Sequence, residues 1–179
     1  MKLTCKITVL LIPALLSMGV ANSQGILEIT SESVVDGRIQ KIHACTSKGG
    51  KDQSVQLSIL QIPPDAKFLS IIVDDPDAIP VAGKNWVHWN LFNIPAQERL
   101  DITVGKPPVG DPGRSSGGSK TYEGMCPPNG THKYRFAAYV TAEKLDVGGF
   151  FGPTAMHMET FESKFKKSIL GKGVLTGEF

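Results

Sequence analysis

Apolar positions in this chain come in short runs, broken every few residues by Gly, Pro or Asn. Residues 26–30 form one extended run, residues 34–37 close it with a turn, and residues 39–44 read as another extended piece. Residues 46–53 are polar and carry Gly49-Gly50, which predicts a loop. Val55, Leu57 and Ile59 then alternate with Gln56, Ser58 and Leu60, the period-two pattern of a half-buried strand. Ile62-Pro63-Pro64-Asp65 turns the chain. Residues 68–73 are apolar with two adjacent isoleucines, which suits a strand buried on both faces. Asp74-Asp75-Pro76-Asp77 ends that strand, because Pro76 has no N–H to give a ladder and a fixed φ that suits a turn. Residues 86–93 resume extended structure. There Trp86, His88, Asn90 and Phe92 are predicted to share one face, and Val87, Trp89, Leu91 and Asn93 the other.

The second half continues in the same manner. A helical turn is expected over residues 96–100. Residues 105–124 are rich in Gly, Pro and Ser and predict a long loop, of the size that in a compact domain is functional or mobile. Asn129-Gly130 turns the chain into a strand over residues 131–140, which sets His132, Tyr134 and Phe136 on one face. Residues 145–153 connect to the one clear helical period. Met158, Phe161, Phe165 and Ile169 recur at helical spacing, which predicts a helix from a Thr154 cap to Leu170, closed by Gly171. That stripe reads as core rather than as a ligand surface. Residues 174–179 are a short strand or extended tail. Many short strands with one late helix, and no internal repeat, indicate a single β-rich domain.

The amino terminus stands apart from this pattern. Lys2 and Lys6 precede an apolar stretch over residues 7–21, and Ala21-Asn22-Ser23 offers small residues for cleavage. Residues 1–23 therefore read as a signal peptide and residues 24–179 as the mature domain, periplasmic or secreted. The alternative is an uncleaved anchor. Nothing later in the sequence is apolar for long enough to span a membrane. Removal of residues 1–23 deletes two lysines and no acids, so the formal charge of +2 falls to zero. A neutral domain argues against nucleic-acid binding, which needs a basic stripe. Two cysteines remain, Cys45 and Cys126. Export permits a disulfide between them, but their sequence positions do not say whether their Cα atoms approach closely enough, so a bridge and two buried thiols both stay open.

Two stretches carry the candidate chemistry. Residues 72–95 read IVDDPDAIPVAGKNWVHWNLFNIP, and residues 113–140 read GRSSGGSKTYEGMCPPNGTHKYRFAAYV. Together they resemble the phosphatidylethanolamine-binding protein family, which includes Raf-kinase-inhibitor-like proteins. The first stretch is similar to that family's D-P-D-x-P followed by W-x-H-W and N-I-P. The second is similar to its bacterial C-P-P followed by G-x-H-[RK]-Y-x-F. Cys45, Ser54, Leu57-Ser58, Pro63-Pro64 and Leu175-Thr176-Gly177 extend the resemblance over nearly the whole mature chain.

The resemblance implies a mainly antiparallel, Greek-key-like β domain with a few short helices. It also implies a small pocket lined by Asp75, Asp77, Trp86, His88, Pro128, His132 and Tyr134, which takes phosphate-like anions or phospholipid headgroups. It places Cys45 and Cys126 near that pocket. Chemically, a protonated imidazole donates charge-assisted hydrogen bonds to phosphate, Tyr134 adds a hydroxyl donor, and Trp86 walls the pocket or meets an ammonium group. Nearby carboxylates are expected to keep the histidines protonated, or to accept a headgroup amine. A self-satisfied His–Asp cluster with no ligand is the bland alternative.

No cofactor is implied. Two Asp and two His also suit zinc, but Asp75 and Asp77 flank a proline in a turn and no paired-histidine motif exists, so no metal is assigned. The functional expectation is a non-catalytic binding protein. An inhibitor acting on a protein partner such as a protease, kinase or host signalling protein is the second reading, and a weak hydrolase using His88 with Asp75 or Asp77 the third. The family includes homodimers, so a dimer is a possible assembly.

Several matches carry less. Gly113-Arg114-Ser115-Ser116-Gly117 fits G-x-S-x-G, but that motif needs a strand before it and a helix after it, and prolines and glycines flank it here. The same segment fails the phosphate-loop spacing before Lys120. Asn129-Gly130-Thr131 fits a glycosylation sequon but reads as the turn before the His132 strand. His43 and His157 read as incidental. The chain also departs from the bacterial pattern at Ser115 and Gly117 in the loop, at Met125 before Cys-Pro-Pro, and at Ser168 in the predicted C-terminal helix, where relatives often carry a histidine; this alters the rim and leaves the pocket residues intact.

Overall fold

The computed structural model of this chain describes residues 25–148 and 154–179. The segment read as a signal peptide and part of the connection before the late helix lie outside the described residues. In chain order the elements are β1 (Gly25–Ile26), β2 (Glu28–Thr30), β3 (Val34–Val35), β4 (Arg38–Ile39), β5 (Leu57–Leu60), β6 (Phe68–Asp75), α1 (Ile79–Ala82), β7 (Trp86–Pro95), β8 (Leu100–Ile102), β9 (Asp111–Pro112), β10 (Lys133–Thr141), α2 (Met158–Phe165) and β11 (Ile169–Glu178).

The large sheet runs β3-β4-β11-β10-β6-β7-β9, with β1 also paired to β11. A small sheet runs β2-β5-β8. Pairing is antiparallel except where β1 and β4 meet β11. The main core lies between the two sheets, where Leu57, Ile59 and Ile102 of the small sheet pack with Ile71, Val73 and Phe136 of the large one. A second core lies on the other face of the large sheet, where Ile72, Phe92 and Tyr139 meet Phe161 and Phe165 of α2. Strand β6 is thus buried on both faces, which is why its apolar run does not alternate.

Three expectations need correction. Residues 39–44 do not stay extended; Lys41–His43 is a short 3₁₀ turn closed by Ala44 N–H donating to the Lys41 carbonyl. No helical turn forms over residues 96–100, because Leu100 begins β8 and pairs with Ile59. The late helix is shorter than its apolar period suggests. It starts at Met158, whose N–H donates to Asp74 Oδ2 at 3.0 Å, so the acceptor at its start comes from β6 rather than from Thr154. It ends at Phe165, and Ile169 is the first residue of β11. Met158, Phe161 and Phe165 are core residues, as their spacing predicts.

The face prediction for β7 also fails, for a reason that matters to the site. Val73 pairs with Trp89 and Asp74 with Val87, so one step on β6 matches two on β7 and His88 is the bulged residue. The bulge shifts the strand's phase. Asn90 and Phe92 face the α2 side, where Asn90 exchanges hydrogen bonds with the Met156 backbone. Trp86 and His88 turn toward the opposite side and border a cavity.

Candidate functional site

Asp74 and Asp75 end β6 and point to opposite faces of the sheet. Asp74 is fully buried and accepts from Arg135 Nε and Nη2, both at 2.8 Å, while Arg135 Nη1 reaches Glu159 Oε1 at 2.7 Å. Asp75 faces the cavity. Its Oδ2 accepts from His132 Nδ1 at 2.7 Å, and its Oδ1 is buried with no protein partner. The His132 backbone is held by reciprocal hydrogen bonds with Phe179, the last residue.

His88 is joined to the loop in front of it. Its Nδ1 lies 2.8 Å from the Glu123 carbonyl oxygen, so Nδ1 carries the hydrogen and Nε2 the lone pair. The Glu123 N–H returns a bond to the His88 carbonyl. Beneath both histidines lies Tyr134, with no exposed surface and a hydroxyl that has no partner among the described residues. Its ring meets His88 edge-on at 5.3 Å and stacks near His132 at 6.4 Å.

The cavity encloses about 280 Å³. Of the sequence-predicted residues, Asp75, Trp86, His88, Pro128 and His132 border it. Tyr134 lies under its floor. Asp77 is not part of it: Oδ2 accepts from the Lys133 N–H at 2.8 Å, and the side chain borders a separate outer depression. The four Asp and His side chains weighed as zinc ligands therefore do not converge. Among the described residues, the ligand atoms that do cluster belong to Asp74, His157 and Glu159, and the Arg135 guanidinium already bonds both of those carboxylates.

Glu123 is the polar residue that sequence reasoning missed. It borders the cavity, and its Oε2 accepts from Gly117 N–H. Its place two residues before Met125-Cys126, in a stretch already singled out, was the available signal. Ala78, Val81 and Ala82 complete the rim from the turn after Asp77 and from α1. Ile79 and Val81 of that helix are half exposed.

The opposite wall is residues 124–128, and it is firmly fastened. Cys45 and Cys126 form a disulfide with Cα atoms 5.5 Å apart. Cys45 N–H donates to the Met125 carbonyl, Met125 N–H to the His43 carbonyl, and Gly124 N–H to Asp52 Oδ1. A Cβ on Gly124 would fall 2.6 Å from backbone atoms of Ala44 and Cys45, so only glycine permits this approach. The G-x-S-x-G segment is a structural latch. Ser116 Oγ accepts from Val87 N–H and its own N–H donates to the Val87 carbonyl, with no helix after it.

The electrostatics differ from the sequence expectation. Burial pushes the His88 imidazole below its ordinary value, and this outweighs the Glu123 carbonyl and the charges of Asp75, Glu123 and Asp74, which push upward. His88 is therefore neutral at pH 7. Burial, with the Asp75 and Asp77 charges, drives the Tyr134 hydroxyl far above its usual range, so it is a permanent donor. Lys84 Nζ sits 5.0 Å from the Trp86 ring and occupies one of its faces. The cavity is thus bordered by one carboxylate with a lone oxygen and by two imidazoles whose Nε2 atoms have no partner among the described residues, and the Tyr134 hydroxyl lies beneath its floor.

Comparison with known proteins places this fold. The family profile of the phosphatidylethanolamine-binding protein matches residues 30–179. A UPF0098 protein of Methanothermobacter thermautotrophicus is 36% identical over 146 residues, covering 79% of this chain and 89% of the relative. A second, from Pyrococcus abyssi, is 36% identical and covers 94% of each chain. Among solved structures, a phosphatidylethanolamine-binding protein homologue from Chlamydia trachomatis superposes with a TM-score of 0.70 at 26% identity, covering 87% of this chain and 98% of the other. Escherichia coli YbcL shares the fold, with a TM-score of 0.70 at 23% identity over 86% of this chain and 97% of the other.

Proposed function

This chain belongs to the phosphatidylethanolamine-binding protein family, and we propose that it is an exported, non-catalytic binding protein whose cavity takes the phosphate group of a phospholipid headgroup or a similar small anion. The observation that carries this reading is a pair of buried polar atoms without partners among the described residues, Asp75 Oδ1 on a residue that borders the cavity and Tyr134 Oη beneath its floor. Such atoms are costly to bury unpaired, by roughly 1–3 kcal/mol each, and a ligand that bonds both recovers that cost.

The proton inventory sets the ligand's form. Tyr134 donates to a phosphate oxygen. His88 is neutral in the free protein, so an anion must bring a proton or draw one from solvent. A P–OH group donates to His88 Nε2 or Asp75 Oδ1, or His88 becomes protonated as the anion enters and then donates a charge-assisted bond. A headgroup ammonium would meet Glu123 at the rim rather than Asp75 or Asp77. The one free oxygen of Asp75, Oδ1, is buried and taken by the phosphate end, and Asp77 lies outside the cavity.

Two features support binding over hydrolysis. Asp75 pairs with His132 rather than His88, so the carboxylate–imidazole pair proposed for a hydrolase is not built as expected. Among the described residues that border the cavity, none carries an aliphatic hydroxyl or a free thiol. The half-exposed Ile79 and Val81 beside the mouth favour a second reading, a protein-interaction inhibitor that docks over the cavity. Titration of the mature chain with phosphoethanolamine, followed by NMR of the histidine side chains, tests the lead reading. Saturable shifts at His88 and His132 support it, and their absence favours the interaction reading.

A further inference from the structure

A larger cavity, of about 610 Å³, lies beneath the proline-rich loop of residues 105–112 and shares no bordering residue with the first. Trp86 and His88 border the first cavity, Trp89 and Leu91 the second. Its volume falls within the roughly 300–1,000 Å³ of small-molecule sites.

The lining has a direction. Trp89 and Tyr122 meet edge to face, with ring centroids 6.1 Å apart, and supply aromatic walls. The Tyr122 hydroxyl is spent on the His43 carbonyl and Met125 Sδ, so only its ring is offered. Pro107, Pro108 and Pro112 contribute further rigid, apolar surface. At the inner end Ser54 is only 4% exposed, and its Oγ has no hydrogen-bond partner among the described residues. At the outer end Lys120 is exposed and makes no ion pair among the described residues. Asp52 also borders the cavity, with Oδ1 bonded to Gly124 N–H.

We propose that this cavity is a second binding site, for a small molecule with a ring-sized apolar body, a hydroxyl or carbonyl at its inner end and a carboxylate at its outer end. Ser54 Oγ, able to donate and accept, meets the inner group. The Lys120 ammonium meets the carboxylate. A single lysine with no arginine suits a monoanion better than a phosphate, which calls for forked or multiple donors. The site is independent of the anion cavity and stands or falls without it.

The test is NMR titration of the mature chain with 4-hydroxyphenylacetate, phenylacetate and tyramine. 4-Hydroxyphenylacetate is expected to shift the Trp89 indole and Ser54 saturably while leaving Trp86 and His132 unmoved. Phenylacetate, which lacks the inner hydroxyl, is expected to bind about tenfold more weakly. Tyramine, with an ammonium in place of the carboxylate, is expected not to bind. Ser54→Ala removes only the unpartnered hydroxyl and Lys120→Ala changes an exposed residue, so both variants fold, and each is expected to weaken 4-hydroxyphenylacetate at least about fivefold. Val109→Trp, at an exposed position on the mouth, is expected to block entry. No saturable shift below about 10 mM, equal affinity for the three probes, unchanged affinity in either alanine variant, or shifts confined to Trp86 and His132 would each overturn the proposal.

Discussion

Asp75 and His132, fifty-seven residues apart, meet at 2.7 Å through Oδ2 and Nδ1, and both side chains are almost wholly buried. The bond fixes the His132 ring so that Nε2 is its free nitrogen, and it leaves Asp75 Oδ1 to a ligand. Truncating one partner of a buried pair strands the other. Asp75→Ala is expected to destabilise the protein by about 1–3 kcal/mol, read from urea denaturation midpoints at pH 7. A loss below about 1 kcal/mol would mean that the pair is solvated or unformed.

Stability should also depend on pH through His88. Its value in the folded protein lies below the 6.5 of the free side chain, so between the two the unfolded chain binds more protons. The stabilisation is complete above about pH 6.5 and is lost as pH falls through the folded value. His43, likewise lowered by burial, adds a slope of the same sign. Urea denaturation at pH 7.5 and 5.0 is expected to show a fall in stability that is smaller in His88→Gln. An equal fall in both proteins would remove His88 as a source.

The Cys45–Cys126 disulfide closes a loop with a sequence separation of 81. In the chain-entropy model such a bond stabilises by about 4 kcal/mol, and reduction should remove that amount. Thiol labelling of the denatured, unreduced mature chain should find no free thiol. Two labels per chain would contradict the bond.

Export is proposed from residues 1–23. Mass spectrometry of protein recovered from the envelope or medium should find a chain beginning at Gln24. A chain retaining Met1 there would instead favour the uncleaved anchor.

Much of this architecture is legible in one sequence because its main strands are buried in distinct ways. The run at Ile71-Ile72-Val73 reads as doubly covered because it is, between the small sheet and α2. Cues that depend on the chain's return are harder to see. Asp74 supplies the acceptor at the start of α2 from eighty-four residues away, so no local signal places the helix start. The His88 bulge is equally silent, since period-two alternation assumes an unbroken ladder. Residue type indicated that Asp75, His88 and His132 belong together, but it could not say which imidazole takes the carboxylate. It also misjudged the protonation of His88, because nearby acids are visible in sequence and burial is not. Glu123 escaped for the same reason: it reaches the cavity only because its backbone pairs with the bulged residue.

The central claim is that phosphate binds in the Asp75–His88–His132 cavity and that a proton accompanies it. Calorimetric titration with phosphoethanolamine at pH 6.0 and 8.0, in two buffers of different ionisation enthalpy, tests it directly. Because burial holds His88 below its ordinary value, it is neutral at pH 8.0, where a phosphomonoester, whose second proton leaves near pH 6, is a dianion, so binding at pH 8.0 should take up about one proton per ligand. Affinity should weaken as pH rises. His88→Ala should lose roughly 1.5–3 kcal/mol, or about ten- to a hundred-fold in affinity. Bare phosphate should bind more weakly than phosphoethanolamine, and Glu123→Gln should narrow that gap. Equal binding by wild type and His88→Ala at both pH values, with no proton uptake, would contradict the account.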